Sequence, residues 1–371
     1  MHIKQYPFYF KATVILFGIV LFVYALFNLQ AILIPLAFAM ILAILLNPVF
    51  NRLQQHKVPR VLAIIITLLA ALVLFGGIMY FLSSQVARFS DTLPLLKQKF
   101  SSLLTEFGQW LQVHFGLTIQ KQIELMNDAV NSSKAVLGST VSTAVGTIGI
   151  ILLLPVYIFL FLFYKPLILN FLFEIFAEEN SRQVSEILNQ TKTAIQSYMV
   201  GLLLEAIIVA VLNSTALLIL GVEYAILLGV IGAILNMLPY IGGIIAIALP
   251  VLMATITTDG YNTQLGILIA YIIIQFIDNN ILVPRIVSSK VQINALISII
   301  VVLLGGALWG VPGMFISIPF VAILKIIFDK IPDLKPWGKL LGDTVPTRHK
   351  GEIWSLRTRK PKPSVAEKIV S

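Results

Sequence analysis

The sequence predicts an all-α polytopic membrane protein with about eight spans or hairpin segments and an extramembrane helical insert. Three observations carry this. Hydrophobic residues make up 58% of the 371-residue chain and charged residues only 12%, with a mean hydropathy of +0.95. A chain so poor in charge cannot cover a core with a polar skin, since soluble domains are about a quarter charged. Apolar segments long enough to cross a bilayer, roughly 17 to 25 residues, recur along the chain. Between two of them lies a polar stretch with helical apolar periodicity, which reads as an insert outside the bilayer.

The spans fall near 9–28, 30–49, 60–82, 147–165 and 198–220. Apolar stretches at 224–238, 241–257, 262–283 and 294–328 follow, several of them short and interrupted by glycine or proline. Lys4 and Lys11 precede an apolar run from Ala12 to Leu46, broken only by Asn28, Gln30 and Pro35. Ala37-Phe38-Ala39 mimics a cleavage site, but the run is too long for a signal peptide. It reads as two uncleaved spans.

Lysine and arginine in short loops set orientation. Lys4 and Lys11 before the first span, and Arg52, Lys57 and Arg60 after the second, place both flanks in the cytoplasm. The insert 83–146 is then outside and 165–197 inside. Three further crossings after the fifth span bring Arg285 and Lys290 back to the cytoplasm. Residues 294–328 carry Gly305-Gly306 and Gly310-Val311-Pro312-Gly313 at their middle and read as a helical hairpin entering and leaving on one side. Both termini are expected in the cytoplasm and the chain in an inner membrane. The organisation is three spans in 1–82, an arm in 83–146, a transport core in 147–328 and a basic tail in 329–371.

In the arm, Phe89, Leu93, Leu96, Phe100, Leu103, Phe107 and Trp110 alternate spacings of four and three, a heptad-like stripe. Asp91 or Thr92 suits the cap, Pro94 the first turn and Gly116 the end. The stripe serves either local packing or contact between subunits. A second amphipathic helix is expected at 172–197, with Glu174, Glu178, Glu179, Arg182, Glu186 and Lys192.

Several function classes are excluded or disfavoured. With no cysteine there is no disulfide, thiolate zinc site or thiol catalysis. The four histidines lie far apart. Gly242-Gly243 and Gly305-Gly306 are not followed by Lys-Ser/Thr, so there is no phosphate-cradling loop, and no nucleophile elbow occurs. No cofactor and no enzyme activity are expected. The net charge of +9 does not point to nucleic acid. Residues 329–371 hold ten Lys or Arg against five acids, and basic residues beside spans are topology signals and contacts to anionic lipid.

Ionisable groups at lipid depth cost about 2.5–3.5 kcal/mol on insertion scales, so each needs a reason. Glu205 lies within 198–220, with Asn213 eight residues on. Asp278 ends an apolar run and stands with Gln275, Asn279 and Asn280. Pro284 lacks an N–H, which frees the carbonyl of residue 280. A carboxylate, amides and a free carbonyl suit a dehydrated cation or a proton. The structural alternative pairs Asp278 with Arg285, seven residues on and on the same α-helical face. Two breaks resemble each other: Asn236-Met237-Leu238-Pro239-Tyr240-Ile241-Gly242-Gly243, and Gly305-Gly306-Ala307-Leu308-Trp309-Gly310-Val311-Pro312-Gly313. Broken helices in membranes line cavities or are buried in protein, and in transporters they form substrate and ion sites. Otherwise they are tight turns between spans.

Leu238-Pro239-Tyr240-Ile241-Gly242-Gly243, the run Asp278-Asn279-Asn280-Ile281-Leu282-Val283-Pro284-Arg285-Ile286-Val287, the second break through Met314, and Ile318-Pro319 come in a characteristic order. Together they resemble the autoinducer-2 exporter family of bacterial transporters, the PerM-like permeases. Where the family often has His-Pro after the Asp-Asn segment, this chain has Asn294-Ala295. The resemblance implies a secondary transporter or exporter of a small molecule or cation, assembled as a homo-oligomer. Members have been linked to export of a quorum-sensing signal and to sodium–proton antiport. The competing readings are a passive oligomeric channel and a membrane scaffold whose arm binds partners.

Overall fold

A computed structural model of the chain describes residues 7–115, 153–176, 181–237, 242–258, 260–287 and 293–343. They form α-helices α1 (Phe8–Asn28), α2 (Gln30–Gln55), α3 (Arg60–Phe115), α4 (Leu153–Ile175), α5 (Ser181–Ile219), α6 (Ala225–Asn236), α7 (Gly242–Thr257), α8 (Asn262–Ile277), α9 (Ala295–Lys330) and α10 (Lys335–Leu341). A π-helical segment, Asp278–Val287, continues α8. No strand occurs among the described residues. Among the described residues seven helices are long and apolar enough to cross a membrane: α1 to α5, α8 with its extension, and α9.

Lipid explains the surface. Helix α1 buries no residue, and Phe8, Leu16, Phe22 and Tyr24 are exposed. In water such a face would drive aggregation; in a bilayer it is solvated by acyl chains. The two larger cores among the described residues organise the interior. One joins α2, α3 and α4 through Ala39, Ala43, Phe50, Ile64, Ile158 and Leu162. The other joins α5 to α8 through Leu217, Leu228, Ala246, Met253, Ile267 and Tyr271. Ile41, Ile195 and Ile316 connect α2, α5 and α9 between them.

Three boundaries differ from expectation. Helix α3 does not stop at the membrane edge. It passes the expected cap at Asp91 or Thr92 without interruption, because residues 83–93 contain no glycine or proline to break it. Beyond Ala87 it rises a further ~42 Å, at 1.5 Å per residue. The stripe from Phe89 to Trp110 lies on this helix, but those side chains, and Gly116 onward to 152, lie outside the described residues. The expected helix 172–197 is not one element. Its start is the end of α4, and most of it is the first half of α5, continuous with the span that follows. Helices α6 and α7, of 12 and 16 residues, rise only about 18 and 24 Å against a hydrocarbon core of about 30 Å. Neither crosses alone, so only α8 of the three expected crossings is long enough. One crossing in place of three leaves the side of Arg285 unchanged.

Residues 295–330 fold back on themselves as expected. In a continuous helix Gly305 and Gly313 would stand about 12 Å apart. Instead a Cβ on Gly305 would lie 2.5 Å from the Gly313 carbonyl oxygen. The chain reverses at Trp309 and Gly310, whose backbone is non-helical, with φ +62° and ψ −145° at the glycine. That region is open essentially to glycine alone. At the tip, Trp309 Nε1 donates to the Leu26 carbonyl at 3.0 Å, near the end of α1. At the base, Asn294 clamps the hairpin to the segment after it. Its Oδ1 accepts from Ile297 N (2.9 Å) as the helix N-cap, while its Nδ2 donates to the carbonyls of Leu340 (2.7 Å) and Gly342 (3.1 Å). The position where the family often has histidine therefore holds a structural clamp. Asn294→Ala removes both roles and should cost about 1–2 kcal/mol. Hydrogen exchange should rise at Ile297, whose N–H loses its acceptor; protection unchanged there would show that the cap is ornamental.

Candidate functional site

Helix α5 presents a buried stripe of Tyr198, Leu202, Glu205, Val209, Asn213 and Leu217 at spacings of three and four. This face packs against α6, α8 and the π segment. Gly232 of α6 lets the helices close: a Cβ there would lie 3.3 Å from Asn213 Nδ2, 3.5 Å from Ala246 Cβ and 3.7 Å from the Tyr271 hydroxyl. The result is a cavity lined by Val209, Asn213, Asn236, Ala246, Tyr271, Ile274, Gln275 and Asp278. It is narrow, with room for about one water-sized occupant.

Asp278 is the centre of this site and is only 2% exposed. Its Oδ2 accepts from Asn236 Nδ2 at 2.8 Å, with Gln275 Nε2 at the outer limit of bonding, 3.5 Å. Its Oδ1 is buried with no hydrogen-bond partner. So are Asn213 Oδ1 and the Tyr271 hydroxyl in the same cavity. Buried polar atoms without partners are rare, and three around one small space call for an occupant. All three are oxygens, the donor atoms that hard cations take. A carboxylate buried without a counter-ion is met by a proton or a cation. Glu205 is 6% exposed on the neighbouring helix and lies within electrostatic reach of Asp278.

Helix breaks position these groups. Gly242 starts α7 with its Cα against the Leu235 carbonyl at the end of α6, where no side chain fits, and Gly243 leaves room for the Gln275 side chain. Asn236, the last residue of α6, is thereby aimed at Asp278. On the other side α8 widens at Asp278 into the π segment. The wider i→i+5 turn has two consequences. It pairs the carbonyl of Asn280 with the N–H of Arg285, so the carbonyl facing Pro284 belongs to Asn279 and not to residue 280 as expected. It also rotates Arg285 off the α-helical register that would face Asp278. Arg285 is exposed, and the alternative pair with Asp278 does not form: Oδ1 is unbonded and Oδ2 belongs to Asn236 and Gln275.

The expected site residues thus separate. Asp278, Gln275 and Asn236 line the cavity, with Glu205 close by. Asn279 and Asn280 are exposed; Asn279 meets Gln275 at 3.4 Å and Asn280 binds the Phe276 carbonyl at 2.8 Å. Gly242 shapes the break, while Pro239 lies outside the described residues. Gly305 and Gly306 sit in the α9 hairpin against Gly313, Ser317 and Met314, away from the cavity. Among the polar lining residues Tyr271, one and two helical turns before Gln275 and Asp278, escaped sequence reasoning, while Asn213 was noted beside Glu205; Gly232, which lets the helices close around the cavity, gave no polar signal.

Fold and site together define a polytopic α-helical membrane protein with a buried polar cavity at a helix break. The chain matches the model of the AI-2E family transporter over residues 13–333, and it belongs to that family. It is similar to a putative transport protein of Haemophilus influenzae, 24% identical over 84% of this chain and 90% of the relative. The AI-2 transport protein TqsA of Escherichia coli is 24% identical over 84% and 90%, and the putative permease PerM of the same species 28% over 85% and 90%. A transport function follows from the family.

Proposed function

We propose that the protein is a secondary transporter or exporter that moves a small polar solute or cation across a bacterial inner membrane, coupled to a proton or sodium gradient. One observation carries this reading: a buried carboxylate oxygen at a helix break, facing two further unpartnered oxygens in a cavity of about one water's size. A proton or cation bound there, and released when access changes sides, couples an ion gradient to movement of a second species. The name of a relative, AI-2 transport protein, makes AI-2 the first solute to test. The purified chain in liposomes, challenged with cations and small polar metabolites under imposed pH and sodium gradients, should accumulate its substrate uphill. Downhill flux alone, indifferent to either gradient, would favour the passive channel.

The Lys/Arg bias supports cytoplasmic termini and an arm, 83–146, on the outer side. The chain has no native thiol, so a single cysteine is a clean reporter. Ser102→Cys on α3 should react with an impermeant reagent in cells whose inner membrane is intact. Reaction only after that membrane is opened would reverse the orientation.

The stripe on α3 supports a homo-oligomer, since an apolar heptad on a projecting helix is stabilised by a partner. Replacing Leu96, Phe100 and Leu103 together with serine should lower the assembly size in mild detergent. An unchanged size would assign the stripe to packing within one chain.

A further inference from the structure

A second polar cluster lies outside the cavity, where α2, α3, α4 and α5 meet. Arg60 opens α3, and its Nη2 donates to the Leu162 carbonyl of α4 at 3.1 Å while its guanidinium sits 5.4 Å from the Phe163 ring centroid. Lys165, one turn further along α4, donates to Asn47 Oδ1 of α2 at 2.9 Å. Arg60 and Lys192 of α5 are both within electrostatic reach of Lys165. All three cations are half-buried. The described salt bridges involve Arg182, Lys325 and Lys330, so no described carboxylate pairs with any of the three. The neutral acceptors that hold Arg60 and Lys165 fix their direction without cancelling their charge. Arg60 Nε is also buried without an acceptor.

Like charges gathered from three helices repel, and in a half-buried setting water screens them poorly. An anion between them converts the repulsion into attraction. Two features choose the anion. The cluster stands near the ends of apolar stretches: Arg60 is the first residue of α3, Lys165 closes the stretch 147–165, and Lys192 precedes the one that begins at 198. Beside it, Val61 and Leu62 of α3 and Tyr164 and Leu167 of α4 are exposed apolar side chains. A free phosphate has no use for that apolar flank; an amphiphile does. We propose that Arg60, Lys165 and Lys192 bind the phosphate headgroup of an anionic phospholipid, with its acyl chains along α3 and α4. On the orientation proposed above this is the cytoplasmic leaflet, where basic pockets between helices meet such headgroups. Three positive charges suit a headgroup with two phosphates better than one.

Native mass spectrometry of the intact chain, released from detergent doped with cardiolipin, phosphatidylglycerol or phosphatidylcholine, tests this. The wild type should retain lipid in that order. Lys192→Gln, at a side chain with no described hydrogen bond, should weaken cardiolipin retention about fivefold, and the triple glutamine variant about a hundredfold. Arg60→Lys keeps the charge and should stay close to the wild type. Changing Lys335 and Lys339 of α10 to glutamine is the control for general charge and should leave retention unaltered. Wild-type retention by Lys192→Gln and the triple variant would overturn the proposal, as would equal loss in the control. If inorganic phosphate binds in a manner lost with Lys192→Gln while cardiolipin does not, the site serves a free anion and the lipid assignment fails.

Discussion

Asp278→Asn is expected to fold and assemble as the wild type does and to lose gradient-coupled transport. The substitution keeps the shape and keeps an oxygen for Asn236 Nδ2, which now bonds Asp278 Oδ2 at 2.8 Å. It removes the charge from a side chain only 2% exposed and replaces the unpartnered Oδ1 with a group of no net charge. Removing a carboxylate from a membrane interior should not destabilise the fold, since a charge there costs about 2.5–3.5 kcal/mol unless it is met by a proton or a cation. The functional loss should be complete, because an amide neither exchanges a proton nor neutralises a bound cation. Asp278→Glu retains both capacities in a cavity too narrow for the extra methylene and should keep a fraction of the rate. Transport by Asp278→Asn at the wild-type rate, with the wild-type response to pH, would make the residue structural. Selective failure of the asparagine variant to assemble would equally remove it from the coupling site.

Gly313→Val should be the most damaging single substitution in the α9 hairpin. The Gly313 Cα faces the Gly305 carbonyl so closely that even a Cβ overlaps it, and the obstacle is backbone, which cannot rotate away. The two arms must separate, which pulls the Trp309 tip from the Leu26 carbonyl and loosens the base held by Asn294. Overpacking in a core costs about 1–3 kcal/mol, and backbone-to-backbone overlap belongs at or above the top of that range. A lower melting temperature in detergent and reduced yield of monodisperse protein are expected. Gly18→Val, on lipid-exposed α1 with nothing within 4 Å of its Cβ, should melt as the wild type. A Gly313→Val protein with wild-type melting would mean that the arms do not pack as described.

How much of this was legible in the sequence depended on how local the signal was. Helix α1 and the α9 hairpin were legible because long apolar runs and a paired glycine break are properties of neighbouring residues. Helix ends in polar stretches were not. Between 166 and 197 nothing in composition separates the tail of α4 from the head of α5, and residues 83–93 contain no breaker, so α3 ran on. Asp278 was legible as a charge in an apolar setting, and Asn236 as part of a break. The cavity itself was not, since it gathers residues from α5, α6, α7 and α8 whose separations only packing can set. Asn279 and Asn280 were grouped with Asp278 by adjacency, yet successive helical residues point in different directions. The π turn was the hardest feature. Asp278, Asn279, Asn280 and Pro284 announced a disturbed helix, but the width of the turn, which decided the fate of Arg285, is not written in residue spacing.

The central claim is that this cavity opens to one side of the membrane at a time. Ala246 is its most suitable reporter, being 3% exposed and small, and the chain contains no other thiol once it is changed to cysteine. Impermeant thiol reagent should reach Ala246→Cys from the inside and, in a separate experiment, from the outside of sealed vesicles. Reversing an imposed pH or sodium gradient should raise the rate on one side and lower it on the other. Reaction from neither side would make the cavity a sealed packing defect, and equal rates from both sides, unmoved by any gradient, would describe an open pore.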